Sequence, residues 1–163
     1  MSDVSPTGGG LRSTRSVDGD LRLVLNNTLD AVEDGRCELL VFFERHALDT
    51  KSIHRLEVIF EELVSNIVRH GFRPKSDQSI RVRARAGQGR IELTFEDDGA
   101  PFNPLLAPQP DRYTTLETAR IGGRGIPLIT SLSTSISYEG DPGVAEDGFR
   151  PVNRLSLSVA TAA

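Results

Sequence analysis

The sequence predicts a two-layer α+β fold, with helices packed over one side of an antiparallel sheet. Three observations predict it. First, residues 53–72 carry Leu56, Ile59, Phe60, Leu63, Val64 and Ile67 at helical spacing, a strong amphipathic pattern. Second, two runs alternate strictly, 80–86 (I-R-V-R-A-R-A) and 91–96 (I-E-L-T-F-E), around the turn signal Gly87-Gln88-Gly89-Arg90. If Ala86 faces Ile91, then Arg85 meets Glu92 and Arg81 meets Glu96. Opposite charges gather on one face and apolar groups on the other, which the helices must cover. Third, the run 153–160 (N-R-L-S-L-S-V-A) alternates in the same way.

Residues 1–19 are rich in Ser, Gly, Thr and Asp and are expected to form a loose tail, with one domain over 20–163. A weak alternation at 21–25 (L-R-L-V-L) predicts the first strand. A helix is expected over 28–46, capped by Asn26 or Asn27, and Gly35 weakens its middle enough to allow a break. Residues 48–52 connect it to the central helix and offer Asp49, Thr50 or Ser52 as a cap. Gly71 can take the left-handed conformation of a helix stop, and Phe72-Arg73-Pro74 supports an end there. After the hairpin, four prolines lie between Pro101 and Pro110. They exclude a regular element, so 97–121 is a long loop, with one helical turn expected at 114–119. Gly122, Gly123 and Gly125 then precede a helix with Pro127 in its first turn and Ile126, Ile129 and Leu132 on its buried side. A strand over 135–139, a turn region over 140–151 and the strand 153–160 complete the chain.

Composition narrows the function. A formal net charge of −4 argues against broad adhesion to nucleic acid or anionic membrane. The Arg row on the first hairpin strand faces Glu partners and reads as a solvated sheet face. Cys37 is the only cysteine, so the chain holds no internal disulfide and no Cys-based metal site. The apolar runs are too short to span a bilayer, and the first residues lack a basic segment followed by an apolar one. The expectation is a cytoplasmic protein without a membrane anchor.

Chemistry-bearing residues fall in three places. Glu62 and Asn66 are four apart on the central helix, one turn above each other, with His70 a further turn on. On the helix alone these also fit an ordinary solvated face. The second hairpin strand ends in Asp97-Asp98-Gly99. The Gly122–Gly125 turn opens a helix, where amide N–H groups and the partial positive charge favour phosphate. A carboxylate such as Asp97 can accept from an exocyclic amino group, which would select adenine. Gly99 lets a flat ring approach the backbone. An amide oxygen, as on Asn66, suits Mg²⁺ bridging phosphates. The glycine turn is no Walker loop, because no Gly-Lys-Ser/Thr follows, and it is no dinucleotide fingerprint.

The boxes and their order resemble the Bergerat-type ATPase fold shared by histidine kinases, type II topoisomerases and MutL. They are most similar to the small bacterial anti-sigma factor serine/threonine-protein kinases. The motifs are E-E-L-V-S-N-I-V-R-H-G-F (61–72), E-D-D-G-A-P-F-N-P (96–104), G-G-R-G-I (122–126) and the closing N-R-L-S-L (153–157). The resemblance implies a two-layer sandwich, a mixed and mostly antiparallel sheet covered on one face by helices, with 97–121 containing the ATP lid. It implies ATP and Mg²⁺ as cofactors, with Asn66 on the metal. Asp97 would read the adenine amino group and Gly99 would make room for the ring. Gly123, Arg124, Gly125 and Ile126 would serve the phosphates. Glu62 falls where the family has its general base. Arg69 and His70 would contact phosphate or shape the pocket, and a helix-end structural role suits His70 equally. Arg120 or Arg124 would reach the γ-phosphate or stay solvated. Pro127 is a departure that removes one N–H donor from the first turn.

The function so implied is an anti-sigma regulatory factor. It would phosphorylate an anti-anti-sigma (STAS) protein, sequester a sigma factor and form a homodimer, with no direct contact to nucleic acid. The alternative is a non-catalytic, nucleotide-gated binding switch, which would not need Glu62.

Overall fold

The computed structural model describes residues 9–70, 78–106 and 125–162. In chain order the elements are β1 (Leu11–Val17), β2 (Asp20–Asn26), α1 (Asp30–Arg45), α2 (Thr50–His70), β3 (Ser79–Gly87), β4 (Arg90–Asp97), a 3₁₀ turn (Pro104–Leu106), α3 (Gly125–Leu132), β5 (Ser135–Gly140) and β6 (Asn153–Ala160). Six strands form one open sheet in the order β1-β2-β3-β4-β6-β5. Every pairing among the described strands is antiparallel, so the mixed sheet expected from the resemblance is here a purely antiparallel one.

Alternation puts one face of each central strand into the core. Leu21, Leu23 and Leu25 of β2, Ile80, Val82 and Ala84 of β3, Ile91, Leu93 and Phe95 of β4, and Leu155, Leu157 and Val159 of β6 are all buried. They form one cluster with Leu39, Phe42 and Phe43 of α1, with Leu56, Ile59, Phe60, Leu63 and Val64 of α2, and with Ile129 of α3. The stripe read on α2 is therefore its core face. Burying such side chains supplies the main driving force, about 1.5–3 kcal/mol each.

The β3–β4 register matches the expected one, with Ala86 opposite Ile91, Arg85 opposite Glu92 and Arg81 opposite Glu96. The side chains keep one of the two expected ion pairs, Arg85 Nη1 with Glu92 Oε2 at 3.9 Å, and exchange the other. Arg81 forms an ion pair with Asp147 and lies 4.0 Å from the ring centroid of buried Phe149, while Glu96 meets Arg154 Nη2 at 3.5 Å. The segment between β5 and β6 thus packs on the charged face of the sheet.

Three local expectations change. Residues 11–17, expected in the loose tail, form edge strand β1. Polar bonds help tie this edge of the sheet to α1. Gly10 N–H donates to Asp34 Oδ2 at 2.9 Å and Thr14 Oγ1 to Glu38 Oε2 at 3.1 Å. Such a strand shows no apolar alternation. Helix α1 has Leu29 at its N-cap without a side-chain cap bond. Asn26 instead donates from its amide to the Gly9 carbonyl at 2.7 Å, at the end of the β1–β2 pair. Helix α1 also runs unbroken through Gly35, which is buried against α2. A β-carbon there would fall on the Phe60 ring and 3.2 Å from Leu25 Cδ1, so the glycine allows the close approach of α1 to its neighbours. The α2 cap is one of those expected: Asp49 Oδ1 accepts from Ser52 N–H at 3.0 Å, and Ser52 Oγ donates to Asp49 Oδ2 at 2.5 Å. These bonds from Ser52 hold the Asp49 carboxyl below the usual carboxylate range. The helical turn expected at 114–119 and the stop at Gly71 lie outside the described residues.

Candidate functional site

The period of two that builds the core also builds the site. Ile91, Leu93, Phe95 and Asp97 share one face of β4, so the last inward position of an apolar row is a carboxylate. On β6 the same row begins at Asn153 and continues through Leu155, Leu157 and Val159. Asp97 and Asn153 are register partners across the two strands. Both are buried, at 7% and 8% exposure, and two polar groups at that depth need partners. They supply each other: Asn153 Nδ2 donates to Asp97 Oδ1 at 3.0 Å. Gly99 N–H donates to the same oxygen at 2.9 Å, closing the chain into a tight turn as it leaves β4. Both of these donors go to Oδ1, and among the described residues none reaches Asp97 Oδ2.

Burial pushes the Asp97 carboxyl up from its ordinary value, opposed by the bonds from Asn153 and Gly99 and assisted by the charge of Asp98. A carboxylate kept short of water in this way gains from any outside donor. Asn153 also donates to the Ala100 carbonyl at 2.9 Å, and its oxygen accepts from Phe102 N–H at 3.0 Å and from the Tyr138 hydroxyl at 2.5 Å. Burial raises the Tyr138 hydroxyl, and the Asp97 charge adds to the effect.

A second group forms where α3 begins. Gly125, buried, stands against α2. A β-carbon on it would lie 2.7 Å from Glu62 Oε2 and 3.5 Å from Asn66 Nδ2. The missing side chain therefore lets the Glu62 carboxylate and the Asn66 amide close up against the first turn of α3. Glu62 and Asn66 are half-buried, so both stay within reach of a ligand. The first-turn amides of α3 carry partial positive charge, which draws phosphate and also favours the nearby Glu62 carboxylate. The Asn66 atom nearest Gly125 is Nδ2; the oxygen of the same amide is a hard donor of the kind Mg²⁺ accepts together with phosphate oxygens. No cluster of three or more His, Cys, Asp or Glu able to hold a metal occurs among the described residues.

The expected site residues distribute as follows. Asp97 and Gly99 lie together at the end of β4, and Glu62, Asn66 and Gly125 lie together at the α2–α3 contact. Ile126 is half-buried against the core beside Ile129, which anchors the first turn of α3. Arg69 is exposed near the end of α2. Gly122, Gly123, Arg124, Arg120 and the His70 side chain lie outside what the structure describes. The sequence reading gave no role to Asn153 or Tyr138. A polar residue on the inward row of an otherwise apolar strand was the available signal for Asn153.

Comparison with known proteins places the chain in a family. The family model described as a histidine kinase-like ATPase domain matches residues 25–146. The serine/threonine-protein kinase BtrW of Bordetella bronchiseptica is 30% identical over 84 residues, covering 52% of this chain and 59% of that protein, less than two-thirds of its length. The serine-protein kinase RsbW of Listeria monocytogenes is 28% identical over 115 residues, covering 68% of this chain and 73% of its own. The anti-sigma F factor of Halalkalibacterium halodurans is 22% identical over 94 residues, or 58% of this chain and 64% of that one. Among the described residues no helix is long and apolar enough to cross a membrane. With the family match running from the end of β2 past β5, over more than half of its length, this chain belongs to the histidine kinase-like ATPase domain family.

Proposed function

We propose that this chain is an ATP-dependent protein serine/threonine kinase that acts as an anti-sigma regulator. Its substrate is a serine or threonine hydroxyl on an anti-anti-sigma (STAS) protein, and its second partner is a sigma factor that it sequesters. It works as a homodimer in the cytoplasm. The observation that carries the kinase reading is the close approach at Gly125, where the absence of a side chain lets the Glu62 carboxylate and the Asn66 amide come up to the first turn of α3. The names of the relatives support the choice of partner class.

In this reading Asp97 Oδ2 accepts from the adenine amino group, and buried Gly99 lets the ring lie near the backbone. The α3 amides from Gly125 onward, with Gly123 and Arg124 by resemblance, hold the phosphates. Asn66 offers its amide oxygen to Mg²⁺, which neutralises phosphate charge when bound. Glu62 takes the proton from the partner's hydroxyl as that oxygen attacks the γ-phosphorus. The new P–O bond forms as the bond to the β-phosphate bridging oxygen breaks, and ADP leaves with the displaced electron pair. Such transfer depends on positioning and charge neutralisation, and general-base help adds on the order of 10²–10⁴-fold. Radiolabelled ATP, Mg²⁺ and a purified STAS protein test it. Wild type is expected to label a partner serine or threonine, and Glu62→Ala to lose at least about 10²-fold in rate while still binding nucleotide. Undiminished transfer by that variant would reject Glu62 as the base. Partner binding that depends on nucleotide with no labelled product would leave a gated switch.

A further inference from the structure

Asn153 uses its whole bonding capacity. A primary amide offers two N–H donors and two acceptor lone pairs. Both donors are engaged, by Asp97 Oδ1 and the Ala100 carbonyl. Both lone pairs are engaged, by Phe102 N–H and the Tyr138 hydroxyl. This also fixes the orientation of the amide. Turned over, it would set its oxygen against the Asp97 carboxylate and its N–H₂ against Phe102 N–H. Other side chains of similar size do less. Aspartate loses both donors and brings a second charge to Asp97. Serine and threonine offer one donor, and leucine leaves four polar groups without their partner.

A brace between strands would account for part of this. Its choice of partners goes further. One is the buried carboxylate at the end of β4. Two are backbone groups, at Ala100 and Phe102, of the segment that follows it. Gly99 N–H joins the same carboxylate oxygen from within that segment. The carboxylate and the segment therefore share one anchor. With Oδ1 held by two donors, rotation about the terminal torsion of Asp97, which is soft in isolation, is blocked and Oδ2 keeps one direction.

We propose that Asn153 is the positioning residue of the nucleotide site: its amide aims Asp97 Oδ2 at the base and ties residues 99–102 to that carboxylate, so that base selection and placement of the segment are linked. This rests on the nucleotide reading given above. An ionised Oδ2 accepts from the amino group of adenine. It has no attraction for the carbonyl that hypoxanthine carries at the same position. Selection between the two bases thus depends on how firmly Oδ2 is aimed.

The test titrates the full chain with Mg·ATP and Mg·ITP by calorimetry, for wild type, Asn153→Ala and Tyr138→Phe. Backbone amide exchange at Gly99 and Phe102 is followed with and without ATP. Wild type is expected to prefer ATP, and ATP to slow exchange at both amides together. In Asn153→Ala the ATP:ITP preference is expected to fall on the order of ten-fold, the worth of a hydrogen bond to a charged group. ATP should then no longer slow Phe102. Tyr138→Phe keeps the bonds to Asp97 and the segment, and is expected to hold the preference within about two-fold. A purely bracing Asn153 would lower stability without moving the preference. If wild type gives heat with neither nucleotide, the nucleotide reading falls and this inference with it. If wild type selects ATP and Asn153→Ala keeps the full preference, this inference alone falls. Should Asn153→Ala fail to fold, wild-type exchange decides: ATP that slows Gly99 and leaves Phe102 unchanged overturns the linkage.

Discussion

The proposed role of Asp97 needs an ionised carboxylate, and its burial favours the neutral form. Its carboxyl is raised by burial above the value it has in the unfolded chain. The fold therefore favours the neutral form. That contribution to stability is full below the unfolded value and is lost as pH rises through the folded one. At neutral pH the ionised group costs stability. Asp97→Asn keeps an acceptor for Gly99 N–H and Asn153 and removes the charge. Its melting temperature is expected to exceed that of wild type at pH 7, with the difference shrinking as pH falls toward the carboxylate range. Mg·ATP affinity should drop about ten-fold or more, since an amide can present N–H₂ to the adenine amino group. Melting curves across pH and calorimetry check both halves. Gly125→Ala is the complementary case. Its new methyl meets the far end of Glu62, a flexible side chain that can move aside. Stability should stay within about 1 kcal/mol of wild type. Transfer to the partner hydroxyl should fall on the order of 10²-fold, because a base displaced by about an ångström is misaligned. Denaturant unfolding and single-turnover kinetics separate the two effects. Asp97 and Glu62 stand out in the sequence as candidates because each sits in a short motif. Asn153 was not, because its partners come from β4, the segment after it and β5, and no spacing along the chain joins them.

Among the elements, α1 and α2 show what helix patterns reveal and conceal. The stripe on α2 and its Asp49 cap are local features, written within about one turn of chain, and both were legible. The course of α1 through Gly35 was not. In an isolated helix glycine costs about 1 kcal/mol relative to alanine, which argues for a break. Here the requirement is tertiary: the space a β-carbon would fill belongs to Phe60, a ring with no exposed surface. Gly35→Ala therefore sets a propensity gain of about 1 kcal/mol against overpacking that typically costs about 1–3 kcal/mol. Overpacking is expected to win, since Phe60 is fixed between Phe95 and the rest of the core. Urea unfolding should show a lowered midpoint with an unchanged slope. A midpoint equal to or above wild type would mean that α1 and α2 can separate without loss. The contrast with Gly125 is useful, because a glycine facing a rigid ring and one facing a carboxylate tip respond oppositely to the same methyl.

For the whole molecule, the sheet order β1-β2-β3-β4-β6-β5 places the site away from the first strand. Asp97 and Asn153 lie on the β4–β6 pair, and β1 is separated from it by β2 and β3. The hairpin β3–β4 was legible down to its register, because charge pairing and apolar alternation agree. Strand β1 was read as tail, because polar bonds help tie it to α1 and its outer residues are exposed. Yet it pairs with the length of β2 and buries Leu11, which is worth about 1.5–3 kcal/mol by itself. Its removal would also leave the N–H and C=O groups of β2 without partners at a sheet edge, a template for association. A chain starting at Asp18 is therefore expected to melt several degrees lower, at roughly 2–4 °C per kcal/mol for a domain of this size. It should also form larger species in light scattering. Its Mg·ATP affinity, measured below the melting transition, should stay within about three-fold of the full chain, because the carboxylate proposed to read the base and the side chain that holds it are untouched. A shortened chain with an unaltered melting temperature would show that β1 adds nothing to the sheet. One that folds but loses nucleotide would show that the far edge of the sheet holds the site in shape, against the separation that the strand order implies.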